Sequence, residues 1–170
     1  MPVVKNLQHE LAFFNAMSGT DPFTVVIRAA AFLDYELDRF IESRVAVPSA
    51  WTGVRIDFQN RCAIAEALGL PRYLRPPLRK IGKIRNDLAH QPTRNLTAAD
   101  VAELRSSLNA LAWTAVENSL STLAARRLEP TANYDALETL DRFVIIVVTV
   151  RTIIFAQHRL RTAPERIEPT

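Results

Sequence analysis

The 170-residue chain is poor in the residues that build disulfide frameworks and tight β-turns. It has one cysteine, Cys62, and four glycines. A single cysteine cannot form an internal disulfide or a cysteine-rich zinc cluster, and so few glycines disfavour an all-β fold with many turns. Cys62 lies between Phe58 and Leu68 on an apolar helical stripe, which predicts a buried and unreactive thiol.

Long hydrophobic runs are also missing. The longest one extends from Phe143 to Ala156 and contains Arg151, so it is shorter than the roughly 20 residues that cross a bilayer. The N-terminus has no apolar signal-peptide core. We therefore expect a soluble, cytoplasmic protein without membrane contact. The composition, 48% hydrophobic and 23% charged, is globular, and a chain of 170 residues fits one domain, residues 1–170.

Signatures of metal and cofactor chemistry are absent as well. The three histidines are not spaced as metal ligands, and the chain contains no glycine-rich phosphate loop or serine nucleophile elbow. The sequence therefore predicts no metal site and no cofactor. A formal charge of +3 and a pI near 9.4 permit a nucleic acid or an acidic partner without requiring one.

Helical periodicity is what the chain does contain. Apolar residues recur at three- and four-residue steps, as with Leu7, Leu11 and Phe14 in the first helix. We predict an all-α, up-and-down bundle of five or six helices. Besides the first, the predicted helices cover residues 22–45, 54–68, 78–90, 98–127 and 134–161. The tail, residues 162–170, contains two prolines and is expected to fray.

The two C-terminal helices carry the longest apolar stripes. Thr97 and Asp100 form a capping-box pattern ahead of a helix to Arg127 that buries Leu111. The last helix has a β-branched centre, residues 144–150, that locally resembles a strand. No other segment offers a partner strand, so we predict a helix. Apolar on every side, it is either the centre of the bundle or half of a subunit interface.

One short helix combines an apolar stripe with three polar side chains of different chemistry. Leu78, Ile81, Ile84 and Leu88 form the stripe, and the polar residues are Arg85, Asn86 and His90. His90 lies about 140° around an ideal helix from Arg85. The two side chains therefore converge only if the helix unwinds near His90 or a second subunit completes the site.

The segment Arg85-Asn86-Asp87-Leu88-Ala89-His90 resembles the signature of the HEPN superfamily: an arginine, a polar neighbour, and a histidine four to six positions later. The resemblance implies a helical homodimer in which Arg85, Asn86 and His90 are catalytic and cut RNA without a metal. It also implies a cognate antitoxin as a partner. One HEPN toxin pattern has a tyrosine two positions after the histidine, where this chain has Pro92.

The wider context, residues 21–111, is similar to the mannitol operon repressor family. The similar segments are AAAFLDYEL, VRIDFQNRCAIAEALGL and LRKIGKIRNDLAH, in this order. This second resemblance implies a noncatalytic helical regulator that acts by contacting another protein. The sequence therefore leaves two functions open, a ribonuclease of toxin or defence type and a regulatory or interaction module.

Metal-independent RNA cleavage needs a base for the 2′-hydroxyl proton, an acid for the leaving oxygen and a cation for the phosphate. Histidine, with an ordinary pKa near 6.5, suits both proton transfers, and a guanidinium suits the phosphate. One copy of the motif supplies one His90 and one Arg85. Two copies related by a two-fold axis supply the full set, so the ribonuclease interpretation predicts a homodimer.

The residues around the motif are mostly cationic and could follow an RNA backbone. The candidate RNA-binding residues are Arg72, Tyr73, Arg75, Arg79, Lys80, Lys83 and Arg94, with Tyr73 available to stack on a base. The alternative is a solvated helix face. In a purely structural role, His90 would cap the helix, and Arg85 would pair with an acid of the second helix, Asp34 or Glu36.

Overall fold

A computed structural model of the chain describes residues 2–91, 93–127 and 133–159. Within those ranges the protein is an all-α helical bundle without strands. Its helices are α1 (Pro2–Met17), α2 (Pro22–Glu42), α3 (Pro48–Trp51), α4 (Phe58–Ala67), α5 (Arg75–His90), α6 (Ala98–Ser106), α7 (Ala110–Arg127) and α8 (Thr139–Arg159). The predicted frayed tail, 162–170, and Pro92 lie outside the described residues.

Helices α2 and α8 form the centre of the bundle. They pack along each other, and α2 also contacts α1, α4 and α5, while α8 contacts α6 and α7. The β-branched segment of α8 is helical, as predicted, and buries Ile146, Val147 and Val150 completely. A helix that is apolar on most sides is thus covered by its own subunit. No helix in the described parts of the chain has the length and hydropathy to span a membrane.

The structure has eight α-helices in the described ranges, not the five or six predicted. One additional helix is the short α3, and the other arises because the predicted helix 98–127 is broken between α6 and α7. Asn109 begins α7 by accepting a hydrogen bond from the Ala112 backbone N–H at 2.9 Å. The break changes which side of α7 faces the core, so Leu111, predicted to be buried, is 62% exposed and Ala112 is buried.

The last helix also begins later than predicted. Residues Tyr134–Ala136 form a separate 3₁₀ turn, and α8 starts at Thr139. The Asn133 side chain accepts a hydrogen bond from the Asp135 backbone N–H at 3.0 Å, and Leu137 is extended, with ψ at 151°. This local turn chemistry competes with helix formation and gives α8 a well-defined N-terminus.

The side of α1 that packs against the bundle is not the side that carries its leucines. Leu7, Leu11 and Phe14 are exposed by 60%, 54% and 67%. The rotation follows from Glu10, which bonds the buried Arg151 of α8 at 2.6 and 2.9 Å. Leaving the buried guanidinium without this carboxylate would cost more free energy than burying two additional leucines would gain.

Candidate nucleic-acid interface

The candidate site is built on α5. Pro76 and Pro77 occupy its first turn, where the missing N–H groups cost nothing, and Leu78, Ile81, Ile84 and Leu88 are buried. Gly82 allows α4 to approach, because a Cβ there would lie 2.8 Å from the Phe58 ring. The helix ends at His90, where Gln91 is extended. The buried stripe therefore fixes which side chains of α5 face the solvent.

The solvent-facing side of α5 carries four exposed polar side chains in line: Arg79, Lys83, Asn86 and His90. At about 100° per residue, the four lie within about 60° of one another around the helix. Asn86 and His90, two of the three predicted catalytic residues, therefore continue the cationic face toward the C-terminal end of α5. We call these four residues the polar stripe of α5.

Arg85 lies beside the polar stripe and bonds to it. The half-buried guanidinium donates a hydrogen bond to Asn86 Oδ1 at 2.8 Å. The two acids expected to pair with Arg85 bond other arginines instead: Asp34 pairs with Arg61, and Glu36 pairs with Arg151 at 2.7 Å. The guanidinium of Arg85 is thus held at the surface by a neutral neighbour, and its charge is available to an anion.

Within one subunit, Arg85 and His90 belong to the same unbroken helix. α5 extends through His90, and the Gln91 backbone N–H still donates to the Asp87 carbonyl at 3.1 Å. Local unwinding near His90, one of the two ways in which the side chains could converge, does not occur in this structure. About 140° of helix rotation separates them. A shared site for both side chains therefore requires a second copy of the chain.

A groove of about 1000 Å³ lies beside the N-terminal half of the polar stripe. Its lining residues come from α4, from the segment before α5, from α5 and from the end of α6: Gln59, Asn60, Ala63, Arg72, Arg75, Pro76, Arg79, Lys80, Lys83 and Ser107. Five of the seven candidate RNA-binding residues are in this list. The fold thus brings most of the predicted cationic set to one concave surface.

The groove is less positive than its cations alone suggest, because the fold brings acids to it. Glu66 of α4 lies 3.6 Å from Arg72 and 3.1 Å from Arg75, and Glu103 of α6 pairs with Lys80. Between residues 72 and 94 the sequence contains one acid, Asp87, which lies within the motif. Glu66 and Glu103 lie on other helices, so only the folded chain shows that they reduce the charge of the groove.

Two further cations of the groove, Lys83 and Arg79, belong to α5. Lys83 bonds Asp87 at 2.6 Å, and this bond holds the pKa of the Asp87 carboxyl below its usual range. Arg79 is exposed and has no carboxylate partner among the described residues. Five cations and three carboxylates therefore leave the groove with a net positive charge of about two, centred on Arg79.

Tyr73 and Arg94, the two remaining candidate RNA-binding residues, lie outside the lining of the groove. Tyr73 is half-buried and packs against the core, which leaves less of its ring available to a base. Arg94 bonds the buried Asp100 at 2.7 Å. Asp100 also completes the predicted capping box with Thr97, so Arg94 fastens the segment before α6 to the first turn of that helix.

Sequence reasoning did not identify three polar residues of the groove: Gln59, Asn60 and Ser107. They belong to segments remote from the motif, and α4 places the two amides opposite α5 through the close contact at Gly82. A polar pair within the predicted helix 54–68 was the only available signal, and it is common. Amide and hydroxyl groups in these positions can bond sugar and phosphate oxygens.

Comparison with family models, curated proteins and solved structures gave no match to this chain. The described residues also contain no group of three or more histidine, cysteine, aspartate or glutamate side chains placed to hold a metal ion. The functional interpretation therefore depends on the motif, its exposure and the charge around it.

Proposed function

We propose that the chain is a HEPN-type ribonuclease that binds RNA along the α5 groove and cleaves it as a homodimer. One observation carries the proposal: Arg85, Asn86 and His90 each reach the surface of α5, and Arg85 is bonded to Asn86 at 2.8 Å and not to an internal acid. A structural arginine would be expected to bond a buried carboxylate. An exposed imidazole and an available guanidinium are what phosphodiester chemistry requires.

In the proposed reaction, the ring nitrogen of one His90 takes the proton of a ribose 2′-hydroxyl. The 2′-oxygen attacks phosphorus, the bond from phosphorus to the 5′-oxygen breaks, and the second His90 donates its proton to that oxygen. The products carry a 2′,3′-cyclic phosphate and a 5′-hydroxyl. The two Arg85 guanidiniums stabilise the charge that develops on the phosphate oxygens, each contributing a factor of about 10² to 10³ in rate.

The groove supplies the path for the rest of the strand. Arg79, Lys83, Asn86 and His90 follow one side of α5, and the distance from the first to the last is about 16 Å at 1.5 Å per residue. This distance covers roughly two to three nucleotides of an extended strand. The amides of Gln59 and Asn60 lie on the opposite wall of the groove, where they can bond sugar and phosphate oxygens.

A second function, a noncatalytic regulator that contacts another protein, is favoured by a different observation. Leu7, Leu11 and Phe14 form an exposed apolar stripe on α1, and contiguous exposed apolar surface is typical of protein-contact sites. Glu66 and Glu103, which pair with cations of the groove, also reduce the affinity expected for RNA. In this function the polar stripe of α5 would have no catalytic role.

RNA cleavage assays with matched variants separate the two functions. The purified 170-residue protein is incubated with total RNA in a chelating buffer, alongside His90→Ala, Arg85→Ala and, as a control, Arg28→Ala. Arg28 is an exposed arginine of α2, so its removal should leave cleavage unchanged. The ribonuclease proposal expects each motif variant to lose at least about 10²-fold in rate.

The regulator is supported if the wild-type protein leaves RNA intact, or if cleavage survives both motif substitutions. Sedimentation equilibrium of the same samples reports the association state. A wild-type protein that cleaves RNA while remaining strictly monomeric would contradict the two-copy site, because a single α5 cannot bring Arg85 and His90 together.

A further inference from the structure

A second, smaller cavity of about 60 Å³ lies on the other side of α6. It is separate from the groove and shares no lining residue with it. Its lining residues come from α6, from the 3₁₀ turn before α8 and from the first turn of α8: Ala98, Val101, Ala102, Arg105, Tyr134, Thr139 and Arg142. The proposed RNA cleavage uses none of them.

One residue of the cavity lining, Tyr134, carries a buried hydroxyl group without a partner. Tyr134 is 6% exposed, and its hydroxyl forms no hydrogen bond with the described residues. Burial raises the pKa of this phenol, so the group remains a protonated donor. A buried donor that lacks an acceptor costs about 1–3 kcal/mol. A ligand that brings an acceptor oxygen into the cavity would remove this cost.

Two guanidiniums line the same cavity, and one of them has only uncharged partners. Arg142 bonds the backbone carbonyls of Leu137, at 2.8 Å, and Asp135. Arg105 lies over the Trp113 ring at 4.4 Å and bonds the exposed Asp135 carboxylate at 3.1 Å. The lining residues and their bonded partners therefore include two cations and one carboxylate; Asp141, an exposed acid in the first turn of α8, is not part of the lining.

The N-terminus of α8 adds further donors. Thr139 is both the first residue of α8, a helix of 21 residues, and part of the cavity lining. The first turn of a helix has backbone N–H groups without intrahelical acceptors, and its dipole favours an anion. Thr139, Arg105, Arg142 and Tyr134 thus line one small space, and each of these residues carries hydrogen-bond donors.

From this arrangement we infer that the cavity binds a single phosphate group. A volume of 60 Å³ holds roughly four waters by the same measure, which is the size of one tetrahedral oxyanion. Four oxygens and a double negative charge match the phenol, the two guanidiniums and the helix N-terminus. The phosphate is either free inorganic phosphate or the terminal monophosphate of an RNA strand. The inference stands independently of RNA cleavage.

Fluorescence titration with inorganic phosphate tests the site. Trp113 reports on it, since its ring lies 5.0 Å from that of Tyr134. The titration is done in a Trp51→Phe background, at constant ionic strength with chloride as the balancing anion. We expect saturable binding that weakens at least about tenfold in Tyr134→Phe, the effect of one hydrogen bond to a charged group. Arg142→Gln should weaken binding further, because it removes a charge.

Two controls separate this cavity from the rest of the surface. Tyr35→Phe removes a phenol that is 43% exposed, and Arg79→Gln removes an exposed cation of the groove that has no carboxylate partner among the described residues. Both should leave phosphate binding unchanged. The site is refuted if the wild-type protein does not bind phosphate. It is also refuted if Tyr134→Phe binds normally, or if Arg79→Gln alone abolishes binding, which would assign the phosphate to the groove.

Displacement of bound phosphate by an oligoribonucleotide identifies the source of the group. Displacement by a 5′-monophosphate strand, but not by its 5′-hydroxyl counterpart, assigns a terminal phosphate. Displacement by neither strand assigns the free ion, and both results agree with the site. Equal displacement by both strands would mean that the sugar-phosphate backbone competes, which contradicts a cavity for one phosphate group.

Discussion

Arg151 of α8 holds the N-terminal helix onto the bundle, so its replacement should be one of the most destabilising single substitutions in the chain. The guanidinium is 6% exposed. It bonds Glu36 of α2 at 2.7 and 3.0 Å and Glu10 of α1 at 2.6 and 2.9 Å, and it lies 4.2 Å from the centre of the Phe13 ring. Three helices meet at this one cation.

The magnitude follows from what Arg151→Met leaves behind. Glu36 is itself 6% exposed, and apart from Arg151 its recorded contact with a basic side chain is the His9 ring, 3.5 Å away. Removing one partner of a buried ion pair costs about 3–5 kcal/mol, because the remaining charge stays desolvated. A domain has about 5–15 kcal/mol of stability in total. The Glu10 side chain is 41% exposed, so Glu10→Gln should cost about 1 kcal/mol or less.

Urea unfolding at neutral pH, followed by circular dichroism, measures both effects. The matched control is Arg28→Met, which removes an exposed arginine and should change the free energy of unfolding by at most about 0.5 kcal/mol. The double variant Glu36→Gln with Arg151→Met should recover part of the loss, because no buried charge remains unpaired. An Arg151→Met protein as stable as the Arg28→Met control would refute the role of this cluster.

Three further predictions concern single side chains. The bond from Arg151 lowers the pKa of Glu10 below its ordinary value of 4.5. The stabilisation by this ion pair is therefore complete above pH 4.5 and is lost as the pH falls through the lowered pKa. Unfolding midpoints should therefore decrease from about pH 5 to about pH 3, and this decrease should be smaller in Glu10→Gln; equal decreases would contradict the assignment. Cys62 is 1% exposed and burial raises its pKa to about 12, so alkylation should require unfolding, and rapid labelling of the native protein would disprove it. Thr97→Ala removes the capping hydroxyl of α6 and should cost about 1 kcal/mol in urea unfolding; an unchanged midpoint would mean that the cap with Asp100 is not needed.

The helical character of the chain could be predicted from residue periodicity, because it depends on local spacing. The capping box at Thr97 and Asp100 was confirmed for the same reason, since its bonds are only three residues apart in the chain. The break at Asn109 was missed. An asparagine inside an apolar pattern does not reveal whether it caps a new helix or lies on a solvated face.

Ion-pair partners could not be predicted, because they depend on which helices become neighbours. In a structural role, Arg85 would have paired with Asp34 or Glu36, but Glu36 bonds Arg151, which is 115 positions away. In the sequence, Arg151 is recognisable only as a charge that interrupts a hydrophobic run. The acids that reduce the charge of the groove, Glu66 and Glu103, reach it from other helices. Charge counted along the sequence therefore overestimates the charge of a folded surface.

The candidate site was accessible to sequence reasoning where it depends on a single helix. The spacing of Arg79, Lys83, Asn86 and His90 within α5 places them on one side of that helix whatever its neighbours are. The opposite wall of the groove is formed by α4. Its position depends on a close helix contact at Gly82, where a Cβ would lie 2.8 Å from the Phe58 ring.

The chemistry of the cut RNA ends tests the central claim most directly. A defined oligoribonucleotide is incubated with wild-type protein or with His90→Ala in a chelating buffer, and the new termini are identified by mass spectrometry. The proposed reaction predicts 2′,3′-cyclic phosphate ends with wild type, at least about 10²-fold fewer with His90→Ala, and no cut at a position that carries a 2′-deoxyribose. Intact RNA with the wild-type protein, or cuts that leave 3′-hydroxyl ends, would contradict it.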